Sequence, residues 1–167
     1  MDVWSPAKRS EVMARIRSGD TKPELMVRSL LHRSGVRFSL RRKDLPGKPD
    51  IVLPKYGTVV FVHGCFWHRH PGCKVATIPK SRVAFWEDKF ARNVARDRRN
   101  QRALRAQGWR VLVVWECRVM RDPFAVLLRI LRAIGRDAGT VDYSALPERR
   151  TLLRVAEEKV HWRLRGS

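Results

Sequence analysis

The sequence predicts an α/β domain: short strands forming a sheet that helices cover in two or three layers. Three observations support this. Two apolar runs, Thr58-Val59-Val60-Phe61-Val62 and Val111-Leu112-Val113-Val114-Trp115, have the length and β-branched content of strands buried on both faces. Segments with helical periodicity and recognisable ends precede, separate and follow them. The chain has 167 residues, 44% of them apolar, which suits one core, and no repeat or linker divides it.

The elements follow in order. Ser5-Pro6 reads as an N-cap followed by proline at the first helical position, opening a short helix to about Arg17 that Ser18-Gly19-Asp20 ends. Thr21-Lys22-Pro23-Glu24 has capping-box spacing and starts a second helix, carrying Leu25, Met26, Leu30 and Leu31, that stops near Gly35. Val36 to Leu40 reads as a strand, Arg41 to Pro49 as a basic loop with a Pro46-Gly47 turn, and Asp50-Ile51-Val52-Leu53 as the next strand. Gly57 turns the chain into the first apolar run. Residues from Gly64 to Lys80 are irregular and rich in His, Cys, Gly and Pro. Ser81 is the expected cap of a long helix reaching about Gln107 and ended by Gly108, with Ala84, Phe85, Phe90 and Val94 as its early apolar face. The second apolar run follows, and Asp122-Pro123 opens a last clear helix through Phe124, Leu127, Leu128 and Leu131. Beyond Gly135 the pattern weakens, and Leu152 to Leu164 reads as a basic helix or a tail.

Composition narrows the function. Thirty-six Lys plus Arg against 16 Asp plus Glu give a net charge of +20. Such a surface attracts polyanions, and nucleic acid is the expected partner because neutralising phosphates releases counterions. An Arg-rich chain from a GC-rich genome is the plainer account of the same charge. No run approaches the ~20 apolar residues of a membrane span, and Met1 to Ser10 lacks the apolar core of a secretion signal. A cytosolic protein is therefore expected. Three cysteines are too few, and odd in number, for a disulfide framework.

The chemistry concentrates in His63-Gly64-Cys65-Phe66-Trp67-His68-Arg69-His70-Pro71-Gly72-Cys73, which holds three of the five histidines and two of the three cysteines. Thiolates and imidazoles are zinc's preferred ligands. Cys65, His70 and Cys73 can converge on one loop. Cys117, just past the second apolar run, completes a closed structural Cys3His site if that strand lies beside the loop. By itself Cys117 is equally a small buried hydrophobe. His63 and His68 remain available as general base or acid, or as a core histidine and a spare zinc ligand. Asp50 can hold a hard cation such as Mg²⁺ at the sheet edge, or is a turn aspartate. Asp97, within Arg96-Asp97-Arg98-Arg99, has a surface ion pair as its simpler reading, and Glu24 is otherwise a capping acid. Arg92, Arg96, Arg99 and Arg102 share a helix face that can track a phosphate backbone. Phe66, Trp67 and Trp86 could wedge between bases, or pack in the core as Trp109 and Trp115 are expected to.

These motifs together resemble the very-short-patch-repair (Vsr) mismatch endonucleases. The resemblance is carried by Phe61-Val62-His63-Gly64-Cys65-Phe66-Trp67-His68, Asp44-Leu45-Pro46-Gly47-Lys48-Pro49-Asp50, Gly108-Trp109-Arg110-Val111, Trp115-Glu116-Cys117 and Asn93 through Arg99. Arg9-Ser10 and Asp20-Thr21-Lys22-Pro23-Glu24 are similar too, so it spans about Ser5 to Arg118.

The resemblance implies a restriction-endonuclease-like fold with a central mixed sheet. It implies Mg²⁺ on Asp50 and the Val62 carbonyl, His68 as the base activating water, His63 and Asp97 at the scissile phosphate, and Glu24 in support. It implies structural zinc on Cys65, His70, Cys73 and Cys117, and intercalation by Phe66, Trp67 and Trp86. The implied act is a nick 5′ of the thymine of a T:G mismatch, left by deamination of 5-methylcytosine. The implied setting is a monomer on double-stranded DNA, in the bacterial cytoplasm at the nucleoid, with mismatch-repair proteins as candidate contacts. Residues 1–135 would form the endonuclease domain and 136–167 a basic C-terminal extension of it. A restriction-like double-strand endonuclease and a zinc-stapled, non-catalytic DNA-binding module are the competing readings.

Overall fold

The computed structural model describes residues 19–157 except 138, 140, 143, 145 and 155. The expected first helix, Ser5 to about Arg17, and the basic stretch beyond 157 lie outside the described residues. The main elements are α1 (Lys22–Arg33), β1 (Ile51–Leu53), a 3-10 turn (Pro54–Tyr56), β2 (Thr58–His63), α2 (Val83–Ala106), β3 (Arg110–Trp115), α3 (Glu116–Arg121) and α4 (Pro123–Ala133). The sheet is mixed, in the order β1-β2-β3, with β1 antiparallel and β3 parallel to the central β2. Helix α2 makes the crossover that a parallel pair requires.

Side-chain alternation sorts the strands into two cores. Ile51, Leu53, Val60 and Val62 face a large cluster with Met26, Leu30 and Leu31 of α1, Val119 of α3, and Leu127, Ile130 and Leu131 of α4. Val52, Val59 and Phe61 face the other way, onto Leu45 and Leu104 of α2. The sheet is therefore the middle of three layers. Every residue of β2 is buried, as expected of the central strand. The second apolar run differs: in β3 only Val114 is fully buried, because it is an edge strand. Val141, Leu146, Leu152 and Ala156 pack into the larger core, so the chain past α4 is tied to the same body.

Several expectations need correction. Val36 to Leu40 is not a strand but one bridge, Ser39 to Val52. Only Val36 there is fully buried and Leu40 is 45% exposed, leaving little apolar surface to hold a fourth strand. Helix α2 begins at Val83 with Arg82 as its left-handed N-cap (φ 53°), not at Ser81. Its buried stripe is Trp86, Phe90 and Leu104, while Phe85 is 41% exposed. The Thr21 side chain does not cap α1. It donates instead to Glu24 Oε1 at 2.9 Å, and Glu24 Oε2 accepts from Asp20 N at 3.0 Å. Other ends fall as expected. Asp122 caps α4 by accepting from Ala125 N at 2.9 Å, and Gly108 (φ 85°) follows the end of α2. Among the described residues, no helix is long and apolar enough to cross a membrane.

Candidate active site and metal centre

Strand register assembles the site. In the parallel pair His63 lies opposite Trp115, so Gly64-Cys65 and Glu116-Cys117 leave the sheet side by side at its carboxyl end. In the antiparallel pair Ile51 lies opposite Val60, which brings Asp50 to the same end. This is where open α/β sheets commonly place ligands. A cleft of about 1660 Å³ opens there, bordered by Glu24, Asp50, His63, His68 and Asp97 and by the basic Arg41, Lys43, Lys48, Lys89 and Arg96.

Cys65, His70, Cys73 and Cys117 form one cluster whose ligand atoms all lie within 4.8 Å of one another. His70 Nδ1 is 3.6 Å from Cys65 Sγ and 3.3 Å from Cys117 Sγ. Tetrahedral zinc, with Zn–S of about 2.3 Å and Zn–N of about 2.0–2.1 Å, needs S···N near ~3.5 Å, so the quartet fits that ion. His70-Pro71-Gly72-Cys73 supplies the bend. Gly72 has φ 66° and Cys73 N donates to His70 O at 3.3 Å, the pattern of a turn with Pro second and Gly third. The His70 ring stacks on Trp115 at 4.3 Å. Burial and the neighbouring thiols push the metal-free Cys65 thiol up to about 12. Hydrogen bonding from the Val75 backbone draws Cys73 down. Buried as it is among other sulfurs, Cys65 would ionise readily only with a cation beside it. Cys65 N also donates to Glu116 Oε2 at 3.2 Å, which fastens the loop to α3.

The second cluster is His63, His68 and Asp97. His68 Nδ1 lies 2.5 Å from Asp97 Oδ2. An ionised carboxylate can only accept, so Nδ1 is the donor in this pair and Nε2 is the ring nitrogen not engaged by Asp97. The His63 ring stacks on His68 at 3.9 Å and meets Trp115 edge-on at 5.5 Å. Burial, with His68 beside it, lowers His63 to about 4, so it is neutral near pH 7.

Asp50 Oδ2 accepts from Val62 N at 2.7 Å, which places the carboxylate against the Val62 backbone. Burial and the nearby Glu24 push Asp50 up to about 6, against the hydrogen bond from Val62 and the charge of Arg28. A half-buried carboxylate whose ionisation is costly gains from a nearby cation, and a hard divalent ion is one such partner.

The aromatic residues form one cluster. Phe66 meets Trp67 at 5.0 Å, Trp86 at 5.7 Å and Phe90 at 5.0 Å. Phe66 and Trp67 border the cleft, whereas Trp86 is buried behind them. Asn93 Nδ2 donates to Trp67 O at 3.2 Å and Lys89 Nζ lies 5.3 Å from the Trp67 ring. On α2 only Arg96 of the arginines singled out borders the cleft. Arg92 pairs with Asp88 at 2.7 Å and, like Arg99 and Arg102, is exposed along the flank. Sequence reasoning assigned no role to Arg28, Lys89, Asn93 or Glu116. Two of them carried a signal: Glu116 stands beside Cys117, and Asn93 opens the motif that runs to Arg99.

A histidine bound to a carboxylate and a half-buried acid, together in a basic cleft, are groups from which a nuclease site can be built. Residues 1–74 match the family described as DNA mismatch endonuclease Vsr. The chain is 46% identical over 116 residues to DNA mismatch endonuclease Vsr of Escherichia coli K12, covering 70% of this chain and 74% of that protein. It is 56% identical over 116 residues to the type II nicking enzyme V.XorIIP of Xanthomonas oryzae pv. oryzae, covering 70% of this chain and 85% of that one. It is 40% identical over 143 residues to the type II nicking enzyme V.NaeI of Lentzea aerocolonigenes, covering 81% and 85%. The chain belongs to the Vsr DNA mismatch endonuclease family.

Proposed function

We propose that this protein nicks one DNA strand 5′ of the thymine in a T:G mismatch. The observation that carries the reading is the His68–Asp97 pair, stacked on His63 and sharing one basic cleft with Asp50. His68 Nε2 takes the proton of the attacking water, and Asp97 keeps the imidazole in the tautomer that can do so and stabilises its cation. His63, neutral and packed face-on, holds the His68 ring and reaches the scissile phosphate. Asp50 and the Val62 carbonyl would hold Mg²⁺, with Glu24 in support. When bound, that ion neutralises charge developing on the phosphate.

Phe66 and Trp67 enter the base stack beside the mismatch, where unstacking is least costly, with Trp86 backing them. Cys65, His70, Cys73 and Cys117 hold zinc, which fixes the loop that carries Phe66, Trp67 and His68. The mixed sheet is read as a restriction-endonuclease-like core, with residues 1–135 as the endonuclease domain and 136–167 as its extension. The protein acts as a monomer on double-stranded DNA at the bacterial nucleoid.

The test uses end-labelled duplexes with a central T:G mismatch in varied flanking contexts, and C:G controls, in Mg²⁺. A single nick next to the T, lost in EDTA and absent from C:G, is expected. Cutting of both strands of C:G would establish a restriction-like enzyme instead. Tight binding without scission in any context would leave a zinc-stapled binding module.

A further inference from the structure

The wall of the cleft contains a charged network that folding alone does not account for. Arg28 of α1 is 7% exposed. Its Nη1 binds Asp20 Oδ1 at 2.5 Å and its Nη2 binds Glu24 Oε2 at 2.6 Å. Glu24 is held further by Asp20 N on the same oxygen and by the Thr21 hydroxyl on Oε1. A carboxylate has about four acceptor sites; three are filled here, all by donors that fix its direction. Asp20 in turn pairs with Arg41 and has a left-handed backbone (φ 58°).

This arrangement is a poor way to stabilise a helix. Replacing buried ion pairs with apolar side chains is often neutral or stabilising, and the α1 neighbours Met26, Val27, Leu30 and Leu31 are already apolar. Arg28 Nε has no hydrogen-bond partner among the described residues, a further cost. What the network does achieve is an immobile Glu24 on the cleft wall beside Asp50. Glu24 and Arg28 both act on Asp50, the first disfavouring its charge and the second favouring it.

We propose that Arg28 is a positioning residue for strand cleavage: its two Nη atoms clamp Glu24 against Asp20, and so hold the Glu24 carboxylate in its working place beside Asp50. Arg28 does not line the cleft and acts through Glu24. The guanidinium fork is essential, because a lysine ammonium is a single point that does not span two carboxylates in that geometry. The inference rests on Asp50 and Glu24 belonging to the cleavage site.

The experiment compares single-turnover nicking in saturating Mg²⁺, on the duplex the wild-type protein nicks, with DNA affinity by fluorescence anisotropy. The variants are Arg28→Met, Arg28→Lys, Glu24→Gln, the Arg28→Met/Glu24→Gln double and Asp50→Asn. Arg28→Met is expected to nick about tenfold to a hundredfold more slowly, as a misplaced catalytic group does, with unchanged DNA affinity. Arg28→Lys recovers little of the loss. The double variant is no slower than Glu24→Gln alone, since the two changes remove one device. An unchanged rate in Arg28→Met, or losses that multiply in the double variant, overturns the proposal. If Arg28→Met shows no cooperative melt, Arg28→Lys and its double with Glu24→Gln are judged by the same criteria. Full activity in Asp50→Asn, or no nicking by the wild type, overturns the underlying reading, an outcome distinct from an active wild type indifferent to Arg28.

Discussion

Asp50 shows how the site trades stability for readiness. Its carboxyl is pushed up to about 6 from 3.8, so between those values the folded protein keeps a proton that the unfolded chain has released. Stability therefore falls as pH rises through that window, and above it the protein carries the cost of an ionised, half-buried Asp50, about 3 kcal/mol at most. Asp50→Asn removes that charge and keeps an oxygen to accept from Val62 N. The variant is expected to melt a few degrees higher than wild type at pH 7.5 without divalent cations, at roughly 2–4 °C per kcal/mol for a chain of this size. The gain should vanish near pH 4, where both carry a neutral side chain. Mg²⁺ should raise the melting temperature of wild type only, and Asp50→Asn should not nick. Thermal melts at the two pH values decide the matter: a variant less stable at pH 7.5 would mean that Asp50 is a structural acid. His63 runs the other way. Buried and neutral, it supports stability at neutral pH and withdraws it as pH falls from 6.5 toward 4, and because both proteins share it, the comparison isolates Asp50.

At the scale of elements, the loop that carries most of the Cys3His cluster is the least self-sufficient part of the fold. Between β2 and α2 the chain runs irregularly, and within 64–80 only Cys65 is fully buried. Phe66 and Trp67 rest on Trp86 and Phe90 of α2, but the stretch that carries His70 and Cys73 has little apolar packing, so a metal on the Cys3His quartet is expected to complete the loop's hold. Cys117→Ser, at the start of α3, should lose stoichiometric zinc, lower the melting temperature and slow nicking. Amide exchange should rise first in 64–80 rather than in β2. Equal protection of that loop in metal-free and zinc-loaded protein would mean that packing, not metal, shapes it.

The sequence made this centre legible as a cluster of ligand types, and Pro71-Gly72 as the turn between two of them. The helix ends at Asp122 and Gly108 were legible because capping and left-handed backbone are local. What joins Cys117 to Cys65 is the His63–Trp115 register, a tertiary fact with no local signature. The failures have the same origin. Val36–Leu40 has the alternation of a strand without the burial to keep one, and Glu24 has capping spacing but is drawn to Arg28. Helix α3 is a six-residue turn set by the sheet edge rather than by periodicity.

For the whole molecule, the +20 charge divides into two uses. Some arginines are fasteners. Arg136 Nη1 donates to Ser34 O at the end of α1 at 2.8 Å, Arg129 Nη1 to Val113 O of β3 at 3.0 Å, Arg149 to Met120 O at the end of α3, and Arg110 to Ala133 O at the end of α4. Three of these carbonyls lie at helix ends and the fourth, Val113 O, lies within β3; the Arg129 and Arg110 bonds join α4 to the sheet. Others are exposed on the flank of α2 (Arg92, Arg99 and Arg102) or border the cleft (Arg41, Lys43, Lys48, Lys89 and Arg96). Only the second group should exchange counterions for phosphates. In a plot of log affinity for duplex DNA against log salt, each phosphate contact contributes about −0.9 to the slope. Arg99→Ala should therefore flatten the slope by about one contact while leaving the melting temperature nearly unchanged, since exposed charges contribute little to stability. Arg136→Ala should do the reverse, keeping the slope and losing about 1 kcal/mol of stability with its hydrogen bond. Equal slopes for the two variants would mean that the charge acts as a diffuse field, and that α2 does not track the backbone.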